Sequence, residues 1–219
     1  MTSQALEIDP LTRAPDVDLV LPGSKSITNR ALVAAALASG RSVLTNALVA
    51  EDTRAMVGCL EALGAAVQVS PETNTIDVTG TAGRLRAAAP LWVRQSGTTA
   101  RFVLPLAALA DGVAAVDGDE QIRARPQGHL LDALARLGAG FEALDNPGHL
   151  PVRFTTSGLS GVSVDIPGDV SSQFISGLLL TAPVLADGLT VELTGDVVSL
   201  PYITMTVEVM RAFGAEIDV

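Results

Sequence analysis

Apolar and polar positions alternate along this chain in a pattern that recurs three times. Ala31-Leu32-Val33-Ala34-Ala35-Ala36-Leu37-Ala38 is an apolar run that ends at Gly40, before a β-rich stretch. The same pattern returns as Phe102–Ala110 ending at Gly112, and as Leu178–Ala186 ending at Gly188. Runs of that length and composition predict buried helices, with the glycine as a left-handed cap. A strand pattern precedes each run, at Asp18–Leu21, Leu91–Arg94 and Val162–Ile166. A second helix is predicted from near Asp52, Gln127 and Pro201. These helices end at Leu63-Gly64-Ala65, Leu137-Gly138-Ala139 and Phe213-Gly214-Ala215.

The two sets of glycines keep one period. Gly40, Gly112 and Gly188 stand 72 and 76 residues apart, and Gly64, Gly138 and Gly214 stand 74 and 76 apart. Two independent landmarks at one spacing identify an internal repeat. Further strands are predicted at Ala66–Ser70, Thr75–Thr79, Gly140–Leu144 and Val152–Thr155. The unit is therefore β-α-β-α-β-β, in an α/β (α+β) fold. Its copies span about 19–84, 85–158 and 159–219, after a segment 1–18. The third copy stops at Val219, inside its penultimate strand, so the chain reads as a fragment or as half of something larger.

Composition narrows the class. Of 219 residues, 48% are hydrophobic and 17% charged, which describes a chain with a buried core. Aromatic residues make up only 3%, so Ala, Val and Leu must build that core. A net charge of −10 opposes nucleic acid and anionic membrane as partners. The single cysteine, Cys59, lies in an apolar helix pattern and reads as packing. No basic start leads into an apolar stretch at the N-terminus, and no apolar run is long enough to span a bilayer. A soluble cytoplasmic protein without metal or cofactor is expected.

Against that acidic background one basic position stands out. Lys25 is the only lysine beside thirteen arginines. It lies in Pro22-Gly23-Ser24-Lys25-Ser26-Ile27-Thr28-Asn29-Arg30, after a Gly turn and before the first apolar helix. Backbone N–H groups and the positive end of a helix dipole hold anions at such a place. The first helices of the other units begin with Ser96-Gly97-Thr98-Thr99-Ala100-Arg101 and Ser171-Ser172-Gln173. Taken singly, these serines are ordinary N-caps. Three in register, packed about a pseudo-threefold axis, would bring hydroxyls, cations and helix starts to one rim as a polyanion site.

With these motifs in view the chain resembles the enolpyruvyl transferases and, within them, the EPSP synthases. The resemblance runs from about Leu19 to the C-terminus and covers the N-terminal half of that family. It is carried by Pro22–Leu32, Ser96–Arg101, Arg125-Pro126-Gln127-Gly128-His129-Leu130, Asp169–Phe174 and Ser199–Ile203. The sister branch that acts on a UDP-sugar carries Asn after the lysine, so Ser26 points to the shikimate branch. A stand-alone, non-catalytic phospho-ligand domain is the other alternative. The resemblance implies an inside-out α/β barrel-like domain. It also implies transfer of the enolpyruvyl group of phosphoenolpyruvate to the 5-hydroxyl of shikimate-3-phosphate, with release of phosphate. Residues 1–18 would then be associated with the other domain, and the C-terminal half of the same enzyme would be the partner needed for turnover.

Roles follow by resemblance. Lys25 touches both substrates and is the one catalytic group this half supplies. Gly97, Arg125 and Gln173 meet phosphoenolpyruvate. Ser26, Arg30, Ser171, Ser172, Gln173, Ser199 and Tyr202 hold shikimate-3-phosphate. The main acid–base carboxylates come from the other domain. Arg101 and Arg123 sit beside motif residues and could equally pair with local carboxylates; Asp52 could equally be a plain N-cap for Thr53–Leu63; His129 is read as a hydrogen-bonded structural residue and His149 as surface loop. Two positions depart from the family pattern. Gln95 stands where Asn is common, and Phe102 where a smaller residue follows the arginine, beside the glycine that glyphosate contacts in the family.

Overall fold

The computed structural model describes Glu7, residues 9–155 and residues 158–219; of the segment 1–18, residues 1–6 and 8 lie outside the described residues. Among the described residues, sixteen α-helices and β-strands follow the repeat. The first unit holds α1 (Lys25–Leu37), β1 (Arg41–Leu44), α2 (Glu51–Ala62), β2 (Ala66–Ser70) and β3 (Thr75–Thr79). The second holds β4 (Leu91–Trp92), α3 (Gly97–Leu109), β5 (Ala114–Asp117), a short α4 (Glu120–Arg123), α5 (Gly128–Arg136), β6 (Phe141–Ala143) and β7 (Val152–Phe154). The third holds β8 (Ser163–Pro167), α6 (Ser172–Thr181), β9 (Thr190–Thr194) and α7 (Leu200–Ala212).

Each unit contributes one sheet. The orders are β1-β3-β2, β4-β5-β7-β6 and β8-β9. In the second and third units the first two strands run parallel, as β4 with β5 and β8 with β9. The helices lie inside: α1, α3 and α6 pack on one another, α2 joins α1 to α3, and α7 joins α6 to α1. Their contact faces are Ala, Val and Leu, fully buried at Leu32, Ala35, Val103, Ala107 and Leu178. Small side chains let the helix axes approach, as an interior with few aromatics requires. The sheets form the outer layer, which is the inside-out arrangement.

Two local devices recur. The first is the end of each second helix. Gly64, Gly138 and Gly214 have φ of 104°, 96° and 87°, and the next residue donates back to the helix: Ala65 to Leu60, Ala139 to Leu134 and Ala215 to Met210. This six-to-one hydrogen bond satisfies carbonyls the helix leaves open, and only glycine takes the left-handed turn cheaply. The second is the start of each first helix, where Ser24, Ser96 and Ser171 accept from the backbone N–H groups of Ile27, Thr99 and Gln173.

The structure corrects four expectations. Asp18–Leu21 forms no strand, and Val20 is 99% exposed. Its apolar residues have no ladder, because β1 remains an outer strand paired only with β3. Residues 215–219 form no strand either, and the Ile217 carbonyl accepts from Arg211. Gly40 is not in the left-handed region, unlike Gly112 and Gly188, because α1 already ends at an extended Ala38. Asp52 is not an N-cap: Ala50 holds that position, and the Thr53 hydroxyl accepts from the Ala50 N–H.

Among the described residues no helix is long and apolar enough to cross a membrane. Cys59 is buried in the core, where desolvation pushes its thiol up to about 12.

Candidate functional site

The three Ser-capped helix starts converge on one rim, around two adjoining cavities. The first, of about 720 Å³, is bordered by Lys25, Gly97, Arg125 and Gln173, with Asp52, Trp92, Gln95, Thr98 and Arg101 completing much of its wall. The second, of about 430 Å³, is bordered by Lys25, Ser26 and Arg30 from α1, Ser171, Ser172 and Gln173 from α6, and Ser199 and Tyr202 at the start of α7. Thus all ten residues singled out in the sequence border one cavity or the other, and Lys25 and Gln173 border both.

Helix geometry explains the meeting. Pro105 lies inside α3 and has no N–H to offer the Arg101 carbonyl one turn earlier. Gly177 of α6 faces that carbonyl, and a Cβ there would stand 2.4 Å from the oxygen. Glycine therefore lets α6 approach α3 closely, which brings Gln173 against Arg101. At the α3 start, a Cβ on Gly97 would stand 2.9 Å from Nη1 of Arg125 and 3.3 Å from Nη1 of Arg101. The bare glycine keeps that volume open between two guanidinium groups and the helix N-terminus.

Arg30 is 1% exposed, and protein atoms occupy most of its donors. Nε donates to Thr206 Oγ1 at 2.7 Å, Nη1 to the Ser26 carbonyl at 2.9 Å, and Nη2 to Ser176 Oγ at 3.1 Å. Its guanidinium lies 5.3 Å above the Phe102 ring, so the large residue at 102 serves as a floor for the cation. Burial pushes the Arg30 pKa down to about 10, against the opposing influence of Tyr202, and the group stays charged at neutral pH. No carboxylate pairs with it among the described residues. A buried cation without a counter-charge is costly unless an anion arrives.

Lys25 is half-exposed and paired with Asp52 at 2.9 Å. Arg94 bridges to Glu51 at the mouth of the first cavity, from a left-handed backbone at φ 52°. Ser199 is likewise left-handed, at φ 59°. Arg123 pairs with Asp117 at 2.6 Å, as expected for a local ion pair. Arg101 does not behave so, because it turns to Gln173 instead. His129 lies 6.5 Å from the Phe174 ring, and His149 bonds to the Pro147 carbonyl in a loop. Among the wall residues missed in the sequence are Asp52, Trp92 and Thr98. For Thr98 a signal existed, since it lies next to Gly97 on the first turn. For Asp52 and Trp92 only the tertiary arrangement brings them in.

Fold and site define a class: a three-unit α/β domain whose helix starts meet at one rim lined by Lys, Arg and Ser side chains. The chain belongs to the EPSP synthase family, whose model, described as EPSP synthase (3-phosphoshikimate 1-carboxyvinyltransferase), matches residues 16–219. It is similar to the 3-phosphoshikimate 1-carboxyvinyltransferase of Citrobacter koseri, 40% identical over 217 residues, which are 98% of this chain and 50% of the relative. That of Escherichia coli O1:K1 is 39% identical over the same shares. Among solved structures, EPSP synthase from Acinetobacter baumannii superposes with a TM-score of 0.80 at 24% identity, over 92% of this chain and 45% of that one. The chain spans about half the length of the curated relatives it matches.

Proposed function

We propose that this chain is the substrate-binding half of an enzyme that transfers the enolpyruvyl group of phosphoenolpyruvate to the 5-hydroxyl of shikimate-3-phosphate. The observation that carries the reading is the pair of adjoining cavities, each lined by anion donors, with Lys25 on the wall they share. The first cavity receives phosphoenolpyruvate, its phosphate between Arg125 and the open Gly97 turn. The second receives shikimate-3-phosphate. Ser171, Ser172 and Ser199 offer hydroxyls to its phosphate, and Arg30 offers its remaining N–H to the carboxylate.

The chemistry assigns the rest. The 5-hydroxyl gives up its proton to a base and its oxygen bonds to C2 of the enol phosphate, while the C3 methylene gains a proton from an acid. The tetrahedral adduct then expels phosphate and returns a proton from C3 to restore the double bond. These residues neutralise and orient: the Lys25 ammonium lies between the two ligands, where negative charge and the attacking hydroxyl meet. Proton transfer at C3 needs acid–base groups from the C-terminal half of the same enzyme, which would also exclude water. Cytoplasmic location accords with substrates of this kind.

Trp92, the only tryptophan, borders the first cavity, so its fluorescence is the probe for occupancy of that cavity. Titration of the chain with shikimate-3-phosphate and phosphoenolpyruvate is expected to give saturable binding without phosphate release. Absence of binding to either ligand at millimolar concentration, from a chain that melts cooperatively, would overturn this function.

A further inference from the structure

Arg94 holds a place in the first cavity that its own backbone disfavours. It is the first turn residue between β4 and α3, and the turn closes where the Ser96 N–H donates to the Val93 carbonyl at 3.1 Å. Its φ of 52° is left-handed, a conformation that glycine takes freely and that costs an arginine free energy. The neighbouring loop fixes that conformation. The Asp119 N–H donates to the Arg94 carbonyl at 2.9 Å, and a Cβ on Gly118 would stand 2.3 Å from the same oxygen. From there the side chain crosses from the second unit to the first and pairs with Glu51, the first residue of α2. Both partners are open to solvent, at 46% and 71% exposure, so the pair itself adds little stability. A strained backbone that supports only a weak ion pair points to a task other than folding.

Charge supplies that task. Lys25, Arg94, Arg101 and Arg125 border the first cavity. Three carboxylates, Glu51, Asp52 and Asp119, border it too, which leaves a surplus of one positive charge in a protein of net charge −10. Asp52 is already answered by Lys25. Without Arg94 the surplus would be gone, and Glu51 would stand bare at the mouth, repelling an anionic ligand in proportion to its charge. We propose that Arg94 is a specificity-determining residue that cancels the Glu51 charge and so opens the first cavity to a multiply charged phosphate ester. This rests on the reading that phosphoenolpyruvate enters the first cavity, and adds a residue that acts on the ligand through space. Such a role needs a cation beside Glu51, not the planar fork of a guanidinium. It belongs to surface electrostatics, strong in dilute buffer and screened in salt.

The test is calorimetric titration of the full chain with phosphoenolpyruvate at about 10 mM and at about 1 M salt, where the screening length is about 30 Å and about 3 Å. In dilute salt Arg94→Gly is expected to bind about fivefold more weakly than wild type, the scale for one charge acting through water on a multiply charged anion. At high salt the two should agree within about twofold. Glu51→Gln added to Arg94→Gly should restore wild-type binding in dilute salt, because no bare carboxylate is left. Arg94→Lys keeps the charge and should bind like wild type at both salt concentrations. Glycine suits the left-handed turn, so the first variant keeps the fold. Arg94→Asn, a second neutral residue that accepts this turn, takes its place if it does not. Unchanged affinity in the neutral variant, a loss that persists at high salt, or a loss that Glu51→Gln does not reverse overturns the role of Arg94 and leaves the two-cavity reading intact. A folded wild type that binds no phosphoenolpyruvate overturns both.

Discussion

Nζ of Lys25 lies 2.9 Å from Oδ2 of Asp52, an ion pair that joins the first turns of α1 and α2 across 27 residues of chain. Asp52 also anchors the second unit, since its backbone carbonyl accepts from the Thr99 hydroxyl at 3.1 Å. The largest single influence on its carboxyl is desolvation, which raises the pKa. Hydrogen bonds from Ser96 and Lys25, with the charges of Lys25 and Arg125, outweigh it and hold the group below the ordinary carboxylate range. The only lysine is therefore aimed by a carboxylate before any ligand arrives.

The pair sets a sign for pH dependence. A carboxylate depressed in the folded state contributes stability that is complete above its unfolded value, about 3.9, and disappears as pH falls through the folded pKa. Lys25 is half-exposed, so the contribution is small, about 0.5 kcal/mol or less. Asp52→Asn is expected to lower the thermal midpoint near neutral pH by about 2 °C or less. The difference should vanish in acid, as the pH falls through the depressed folded pKa. Thermal melts of both proteins at a series of pH values check this. Curves that stay parallel from neutral pH into acid would show that the carboxylate forms no pair in solution.

Gly177 carries the close approach of α3 and α6. An alanine methyl would stand 2.4 Å from the Arg101 carbonyl oxygen, a backbone atom that cannot turn aside. Gly177→Ala is therefore expected to destabilise the fold by about 1–3 kcal/mol, the range for overpacking, despite the better helix propensity of alanine. Denaturant unfolding measures it. Equal or greater stability in the variant would mean that the two helices separate without cost.

Gly97 presents the opposite case. The atom nearest an added methyl is Nη1 of Arg125, the far end of a flexible side chain, at 2.9 Å. Stability should change by less than about 0.5 kcal/mol, as for surface substitutions, while phosphoenolpyruvate affinity falls about tenfold or more because the methyl occupies the anion's place. Fluorescence titration at Trp92 with a parallel thermal melt separates the two effects. Unchanged affinity would remove Gly97 from the site.

These examples show which features sequence reveals and which it hides. β2 and β3 were legible to the residue because their hairpin is local, turning at a left-handed Asn74. The three Gly-Ala helix ends and the three serine caps were legible for the same reason, since each is closed by hydrogen bonds within a few residues. Asp18–Leu21 has the same apolar signature as β4 and β8, but a parallel strand needs a distant partner, and none is engaged. Arg101 and Arg123 looked alike in sequence. Arg123 has Asp117 six residues away, whereas Arg101 reaches Gln173 seventy-two residues away through a helix contact that Gly177 permits. Local pairing could be read from the chain, and pairing across units required the packed helices.

Lys25→Arg tests the center of the site. The position is the first residue of α1, after the Ser24 cap, and is solvent-accessible enough to take arginine. Stability should therefore change by less than about 0.5 kcal/mol. Function should not survive so easily. An ammonium is a compact charge with donors in every direction, able to face both cavities and Asp52 at once. A guanidinium is planar and longer, and it engages a carboxylate through two parallel N–H groups. At position 25 it would lie flat against Asp52 and project into the volume meant for ligand. In the whole-length enzyme, turnover is expected to fall at least about 100-fold, the scale for losing one preorganised charge-stabilising donor. Phosphate release by the whole-length wild type and variant, with a thermal melt of each, measures both quantities. Near-normal turnover in the variant would make Lys25 an ordinary helix-start cation and would remove the shared wall of the two cavities from the mechanism.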